Sequence, residues 1–317
     1  MDDNARALLM AILAYQQNKS KVALDLFPVY LSFIQYMQCD DGNFRNFLSF
    51  DRKYLDEVGS EDSFGRAIWS LGYLIGNAPN DAYYQSGREI FLEAAQHFGN
   101  LQSIRSIANT MIGVSYYLRA NPGDEGMVGR LRSLTNVLTT EYQKCRTDDW
   151  CWFESLLAYD NGMLPLSLLH AAGVLHDESV REIGIESMHF LESKTMSQGY
   201  LSVIGNQQWY FKNGEQSVFG QQPLDALAMV LMFHQAYKLT RDKQYLTKLY
   251  TSFMWFLGDN DLRMSLYDFE TKGCCDGLES YGVNRNQGAE STLAYLIAHL
   301  TVLRAVEDFY SSEPENA

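Results

Sequence analysis

Basic residues are scarce in this sequence. Its 317 residues include 25 Lys and Arg against 39 Asp and Glu, which gives a net charge of −14 at pH 7. Nucleic acids and anionic membranes are bound through basic surfaces, so this balance argues against both as partners. No stretch approaches the roughly 20 apolar residues of a membrane span, and acidic residues stand at the start where a secretory signal would be basic. We therefore expect a cytoplasmic protein with no nucleic-acid or membrane partner.

Cysteine and histidine are also few and irregularly placed. The five cysteines form no regularly spaced even set, which indicates free thiols in a reducing compartment. The six histidines show no spacing typical of a metal site, and no glycine-rich phosphate-binding loop is present. We expect neither a metal nor a cofactor. For adjacent Cys274 and Cys275, a structural role is the first interpretation and a reactive thiol site is the alternative.

Apolar residues make up 46% of the chain and recur at spacings of three and four residues. This period predicts an almost entirely helical protein with a sizeable core. A short hairpin within 199–211 is the one candidate for strand pairing. The predicted helices cover 3–17, 23–38, 63–77, 82–98, 102–119, 124–143, 152–173, 178–194, 223–239, 242–258 and 288–309.

The connections between these helices alternate between tight turns and long loops. The long loops, over 39–62, 195–222 and 259–287, are polar and rich in Gly, Asn and aromatic residues, and such loops usually carry function. The alternation predicts helical hairpins with a period of roughly 50 to 70 residues. Six inner helices and five outer ones then form an all-α (α/α)6 toroid, incomplete by one outer helix, as a single domain over 1–317. The alternative, an open α-solenoid, predicts even loop lengths.

Acidic residues stand where several predicted inner helices begin. Asp62 follows the capping residue Ser60, Asp225 follows Pro223, and Glu290 lies just inside the last helix. One acid in a first turn has an ordinary explanation, because it complements the helix dipole by roughly 0.3–1 kcal/mol. In a toroid, however, the inner helices run in the same direction. Their first turns therefore converge on one funnel.

The segment DDWCWFESLLAYDN (148–161) concentrates carboxylates and aromatic rings at one of these positions. Glycoside hydrolysis needs two carboxylates, and a neighbouring Trp ring would raise the pKa of the acid. Asp149 and Glu154 are the first candidates for acid and base. The alternates are Asp62, Asp225 and Glu290. On this hypothesis, Asp149→Asn lowers turnover at least about a hundredfold.

Aromatic, amide and guanidinium side chains on the same segments are the expected sugar contacts. Flat rings suit the apolar faces of pyranoses, and amides and guanidinium groups bind hydroxyls. The expected ligand is an oligosaccharide or a small sugar. The predicted substrate-binding residues are Arg66, Trp150, Trp152, Tyr159, Asn161, Trp209, Tyr210, Gln221, Gln222, Asn284 and Arg285.

Three stretches resemble a known family of domains. They are FRNFLSFDRKYLDEVGSEDSFGRAIWSLG (44–72), DWCWFESLLAYDNGMLPLSLL (149–169) and QQPLDALAMV (221–230). They are similar to an (α/α)-toroid domain found alone or C-terminal to bacterial retaining glycosyltransferases. The layout is more distantly similar to six-hairpin glycosidases, including α-mannanases with consecutive catalytic aspartates, which Asp148 and Asp149 match in residue type. The resemblance implies a bacterial protein of carbohydrate metabolism and a glycosyltransferase partner.

Several functions stay open at this point. A glycoside hydrolase is the leading hypothesis. A non-catalytic glycan-binding module that assists a glycosyltransferase is the second, and it predicts saturable binding without turnover. A sugar epimerase or isomerase would need a histidine base facing the funnel, with His234 and His299 as candidates. A structural scaffold is the last alternative.

Overall fold

Eleven α-helices account for most of the described chain. The structure, a computed structural model, describes residues 1–311. Short 3-10 segments, Ala95–Asn100 and Trp255–Leu257, extend two of the helices. In chain order the helices are α1 (Asp2–Asn18), α2 (Lys21–Met37), α3 (Glu61–Gly76), α4 (Asp81–Ala94), α5 (Ile104–Ala120), α6 (Glu125–Cys145), α7 (Met163–Leu175), α8 (Glu178–Thr195), α9 (Pro223–Thr240), α10 (Gln244–Met254) and α11 (Ala289–Tyr310).

Two kinds of helix alternate along the chain. In α9 every residue from Pro223 to Val230 is buried, whereas α6 buries a single stripe that includes Leu131, Leu134 and Leu138. A helix buried all round belongs inside a protein, and one with a single apolar stripe belongs on its outside. The alternation therefore separates an inner layer from an outer layer.

The inner helices form a closed ring. α1, α3, α5, α7, α9 and α11 each contact the next, and α11 returns to contact α1. The outer helices α2, α4, α6, α8 and α10 each pack on the inner helix that precedes them. Within residues 1–311 the ring thus has six inner and five outer helices. This arrangement confirms the predicted all-α toroid, without a twelfth helix in the described part.

Glycine allows two inner helices to touch along their backbones. A Cβ atom on Gly72 of α3 would lie 2.1 Å from the carbonyl oxygen of Gly113 in α5. A Cβ on Gly113 would lie 2.3 Å from the carbonyl oxygen of Ile68. Neither position has room for a larger residue. This contact fixes the spacing of α3 and α5, whose first turns carry part of the candidate site.

The structure corrects the predicted helix over 152–173, because α7 begins only at Met163. Asp160 has a positive φ of 53°, which no helix accommodates. Residues before it run as an irregular segment in which Leu156–Leu157 (β1) pairs antiparallel with Tyr210–Phe211 (β2). That pairing replaces the hairpin predicted within 199–211.

The long connections lie on the side of the ring where the inner helices begin. A second strand pair, Gly277–Glu279 (β3) with Gly282–Asn284 (β4), was not predicted and lies in the last of these loops. All five cysteines are free, with Cys274 and Cys275 buried. No helix in residues 1–311 combines the length and the apolar character that crossing a bilayer requires.

Candidate functional site

Three buried arginines lie near the beginnings of neighbouring inner helices. They are Arg6 of α1, Arg66 of α3 and Arg105 of α5. A cation near a helix N-terminus is opposed by the helix dipole, and a buried cation needs a paired anion. These positions therefore require carboxylates brought from elsewhere in the fold.

Two of the arginines pair with carboxylates from other elements of the ring. Arg6 Nη2 lies 2.8 Å from Glu290 Oε2 of α11. Arg66 Nη1 donates to Asp2 Oδ1 at 2.9 Å, and its Nη2 lies 3.6 Å from Asp160 Oδ2. Burial opposes the charge on Arg66, but Asp160 and Asp2 more than offset it, so the pKa of Arg66 is raised. The contacts join α1, α3, α11 and the segment before α7 into one ionic network.

Arg105 fixes the irregular segment before α7. Its Nη2 donates to Glu154 Oε2 at 2.9 Å, and its Nε donates to the carbonyl oxygen of Tyr159 at 2.7 Å. The guanidinium also lies over the Tyr159 ring, 4.7 Å from its centroid. One side chain of α5 thereby sets the path of the chain just before Asp160.

Asp160 combines burial, an unusual backbone conformation and an unsatisfied oxygen. It is 2% exposed and has a left-handed φ of 53°. Its Oδ1 has no hydrogen-bond partner among residues 1–311. Burial raises its pKa, although Arg66, Arg6 and Arg105 act in the opposite direction. Strained, incompletely satisfied residues of this kind cluster at functional sites.

Asp225 lies directly behind Asp160. Its Oδ1 accepts the backbone N–H of Asp160 at 2.7 Å, which helps to hold the left-handed conformation. Burial, followed by the charge of Asp160, raises the pKa of Asp225 to about 8. At pH 7 this carboxyl is therefore largely protonated.

A third carboxylate faces the same region from α3. Asp62 accepts hydrogen bonds from the Tyr159 hydroxyl and from Ser103 Oγ, the latter at 2.9 Å. Burial, together with Asp62, raises the pKa of Tyr159, so its phenol stays a donor. These two donors fix the orientation of the Asp62 carboxyl group.

We name this network of charged and hydroxyl groups the mouth cluster. It contains two carboxyl groups with raised pKa values, Asp160 and Asp225, beside further carboxyl groups and three arginines. Such a mixture is suited to donating and accepting protons and to binding hydroxyl groups. Within residues 1–311, no group of His, Cys, Asp and Glu has the arrangement of a metal site. The mouth cluster consists of Asp2, Arg6, Asp62, Arg66, Arg105, Glu154, Tyr159, Asp160, Asp225 and Glu290.

The structure brings several sequence-predicted site residues into this cluster. Asp62, Asp225, Glu290 and Glu154 come together there with Arg66 and Tyr159. Their carboxylates contact arginine, tyrosine, serine or backbone groups rather than an open hollow. Asn161 is buried beside them, and both ends of its side-chain amide bond to the backbone of Ala158.

Asp149 lies outside the mouth cluster. It is exposed in the turn before Trp150, and its Oδ1 accepts a hydrogen bond from Thr147 at 2.8 Å. That hydrogen bond is the main cause that lowers the pKa of Asp149. A carboxyl with a lowered pKa is mostly ionised at neutral pH and is poorly suited to act as a general acid.

The structure corrects the expected stacking role of two tryptophans. Trp152 is fully buried against Phe153 and Phe190, so neither face of its ring is open to a ligand. Trp150 is buried as well, and its Nε1 donates to the carbonyl oxygen of Glu154 at 2.7 Å. Both rings belong to the packing that supports the irregular segment.

The remaining predicted contacts are spread over the loops. Trp209 is exposed at 36%, and Tyr210 packs edge-on against Trp150. Gln221 is fully buried, and its amide bonds to Asp261, Val218 and Trp255. Gln222 is the residue before α9, and Asn284 and Arg285 lie at the end of the β3–β4 hairpin. Among the described residues, none of these side chains forms a hydrogen bond or ion pair with the arginines of the mouth cluster.

Sequence reasoning missed Asp2, Arg6, Arg105 and the central place of Asp160. A signal for the arginines was present, since Arg6 and Arg105 fall within the first four residues of the predicted helices 3–17 and 102–119, where the helix dipole disfavours a cation. Asp160 followed by Asn161 and Gly162 carried a signal as well, because such residues tolerate the left-handed conformation.

The six histidines all lie away from the mouth cluster. His170 and His234 face a cavity near the opposite ends of the inner helices. His299 packs against Phe253 and Tyr295. The other three, His97, His176 and His189, lie in a 3-10 segment, in a turn after α7 and on outer helix α8.

Comparison with known proteins identifies the fold. A sugar epimerase from a ruminal bacterium matches with a TM-score of 0.70 and 13% identity over 96% of this chain and 86% of that one. Cellobiose 2-epimerase from Spirochaeta thermophila matches with a TM-score of 0.72 and 12% identity over 97% and 86% of the two chains. The chain has the six-hairpin (α/α)6-toroid fold.

A glycoside hydrolase shares this architecture. The GH76 α-mannanase of Bacteroides thetaiotaomicron matches with a TM-score of 0.65 and 10% identity, over 98% of this chain and 87% of that one. No protein-family model and no curated protein sequence matches the chain. At such low identities these matches establish the fold alone, so the reaction has to be argued from the site.

Proposed function

We propose that this protein is a carbohydrate-active enzyme, a glycoside hydrolase that binds an oligosaccharide at the mouth cluster. The single observation that carries the proposal is the meeting of Asp62, Asp160 and Asp225 with three arginines where the inner helices begin. Glycoside cleavage uses two carboxyl groups in different protonation states. The toroid fold, shared with sugar epimerases and an α-mannanase, supports sugar as the substrate class.

In this proposal Asp160 is the general acid. Its raised pKa favours the protonated form that must donate to the leaving oxygen. Its buried Oδ1 has no hydrogen-bond partner among residues 1–311, so a substrate that opens the contacts around it could supply the missing partner. Asp225 is a positioning residue, because it holds the backbone of Asp160 at 2.7 Å.

Asp62 is the second carboxylate of the proposed pair. Tyr159 and Ser103 donate hydrogen bonds to it and hold it in a fixed orientation, as a base or nucleophile requires. Arg66, between Asp2 and Asp160, would bind sugar hydroxyls when substrate displaces its contact with partly exposed Asp2. None of the six histidines lies in the mouth cluster, so a histidine-dependent epimerase has no base there.

The test is a hydrolysis and binding screen of the purified protein with a panel of oligosaccharides, read as reducing-sugar release. We expect Asp160→Asn and Asp62→Asn to lower kcat at least about a hundredfold, the effect typical of losing a general acid or base. Asp149→Asn is the matched control, since it changes the same charge outside the mouth cluster. Circular dichroism and Tm confirm that each variant folds.

The outcomes of this screen separate the competing functions. Loss of turnover in Asp149→Asn, with Asp160→Asn unaffected, would return the acid role to the sequence-based candidate. Saturable oligosaccharide binding without any product would show a glycan-binding module instead.

The five free thiols support a further part of the proposal, that the protein works in a reducing compartment, the cytoplasm. A glycosyltransferase partner stays a prediction from the sequence resemblance.

A further inference from the structure

A cavity lies on the axis of the ring, at the end opposite the mouth cluster. Side chains of all six inner helices line it, and its volume is about 120 Å³. Apolar residues in the middle of the helices, such as Leu9, Ile112 and Leu231, form its inner end. Polar residues near the helix C-termini, such as Arg119 and Lys238, surround its opening. We call it the basal cavity.

The basal cavity carries an excess of positive charge. Its lining includes Arg119, Lys238 and Arg304. Among residues 1–311, the one carboxylate that contacts this group is Asp308, 2.9 Å from His234 Nε2 and 3.5 Å from Arg304 Nε. Three cations and one anion leave a surplus of two positive charges. In a chain with a net charge of −14, such a concentration is unusual.

Lys238 is the least satisfied of these cations. Among residues 1–311, its Nζ has no hydrogen-bond or ion-pair partner, although the side chain is largely removed from solvent. Burial and the charge of Arg119 both lower its pKa, while Asp308 only partly compensates. An anion in the cavity would relieve this repulsion.

Neighbouring groups add directional donors. Arg119 Nη2 lies 3.0 Å from His170 Nδ1, so a neutral His170 accepts there and keeps its proton on Nε2. Burial, followed by the charge of Arg119, lowers the pKa of His170 and keeps the ring neutral. A planar guanidinium, an ammonium and an imidazole N–H form a donor set typical of oxyanion recognition.

Helix dipoles do not account for the whole arrangement. Arg119 and Lys238 lie in the last turns of α5 and α9, where a dipole favours cations. Arg304 lies further from the end of α11, and a dipole effect fades within one turn. Dipoles would also favour cations pointing into solvent, whereas these side chains line one shared cavity.

We propose that the basal cavity binds a small dianionic oxyanion of the phosphate class, either free or carried on a sugar. The surplus of two charges matches a dianion, and the volume admits one such group. An adjoining cavity of about 380 Å³ shares Arg119, Gln235 and Lys238 and offers room for the remainder of a phosphorylated molecule. The proposal is independent of hydrolysis at the mouth cluster.

Calorimetric titration of the full chain with inorganic phosphate, at low ionic strength and without other oxyanions, tests this site. We expect saturable binding with one site per chain. Lys238→Gln and Arg119→Gln should each weaken it at least tenfold. Lys144→Gln is the matched control, because it removes one charge from an exposed outer position, and it should change the Kd less than twofold.

Two further ligands distinguish the source of the anion. A hexose 6-phosphate that binds more tightly than phosphate identifies a phosphorylated sugar, and equal affinities identify the free ion. The unphosphorylated hexose should not compete. Asp160→Asn changes the mouth cluster and should bind phosphate like the wild type. Phosphate binding in the basal cavity is therefore tested separately from hydrolysis at the mouth cluster. Absence of saturable phosphate binding, or equal weakening by Lys144→Gln and Lys238→Gln, overturns the proposal.

Discussion

Replacement of Asp225 by Asn tests whether this buried carboxyl group carries a proton in the folded protein and thereby makes the free energy of unfolding depend on pH. The carboxyl is 6% exposed and accepts the backbone N–H of Asp160 at 2.7 Å. An Asn oxygen preserves this acceptor, and the neutral amide resembles the protonated acid. The substitution therefore removes the titration and leaves most of the packing in place.

The magnitude follows from the pKa of about 8, against an ordinary value of 3.8. Between pH 3.8 and about pH 8, Asp225 is protonated in the folded protein but ionised in the unfolded chain. The free energy of unfolding of the wild type therefore falls as pH rises, and above about pH 8 the loss is complete. The slope is about 1.4 kcal/mol per pH unit, or roughly 3 kcal/mol between pH 5 and 7.

Urea denaturation of both proteins at several values between pH 5 and 7 measures this effect. The free energy of unfolding of Asp225→Asn should rise relative to that of the wild type by the stated slope, because titrating groups that do not interact with Asp225 cancel in the difference. Asp149→Asn serves as a control, and its difference from the wild type should stay flat over this range, since the pKa of Asp149 is lowered rather than raised. A flat difference for Asp225→Asn would show that its carboxylate is ionised throughout and would refute the reasoning.

Two further predictions concern the frame that holds the mouth cluster. Gly72→Ala should lower the free energy of unfolding by about 3 kcal/mol, because its Cβ would lie 2.1 Å from the Gly113 carbonyl oxygen. Gly99→Ala is the control, since nothing lies within 4 Å of the new Cβ, and it should leave the free energy of unfolding nearly unchanged in the same denaturation assay. Trp152→Ala should lower the free energy of unfolding by about 3–5 kcal/mol, because it leaves a cavity in the core. Trp209→Ala, at an exposed position, should shift Tm little. Equal Tm shifts for the two variants would contradict the assignment of Trp152 to the core.

Local sequence patterns predicted most of the helices correctly. The predicted 223–239 and the observed Pro223–Thr240 agree because Pro223 suits a first turn and the following residues are uniformly apolar. Ser60 marked the start of α3 and caps it through its side chain. The prediction failed at 152–173, where apolar periodicity continued through residues that the structure places in an irregular segment. Arg105 holds that segment, and nothing within 152–173 indicates its presence.

The sequence alone determined most of the helical segments, because these depend on the spacing of apolar residues along one segment. It also determined which helices are inner, because tight turns and long loops alternate along the chain. Tertiary structure decided which charges meet. Tyr159 and Asp62 are 97 residues apart, and Asp160 and Asp225 are 65 apart, so no local pattern pairs them. Closing the ring brings these groups out of water together. Burial then raises the pKa of both Asp160 and Asp225, a property that neither residue has in an open chain.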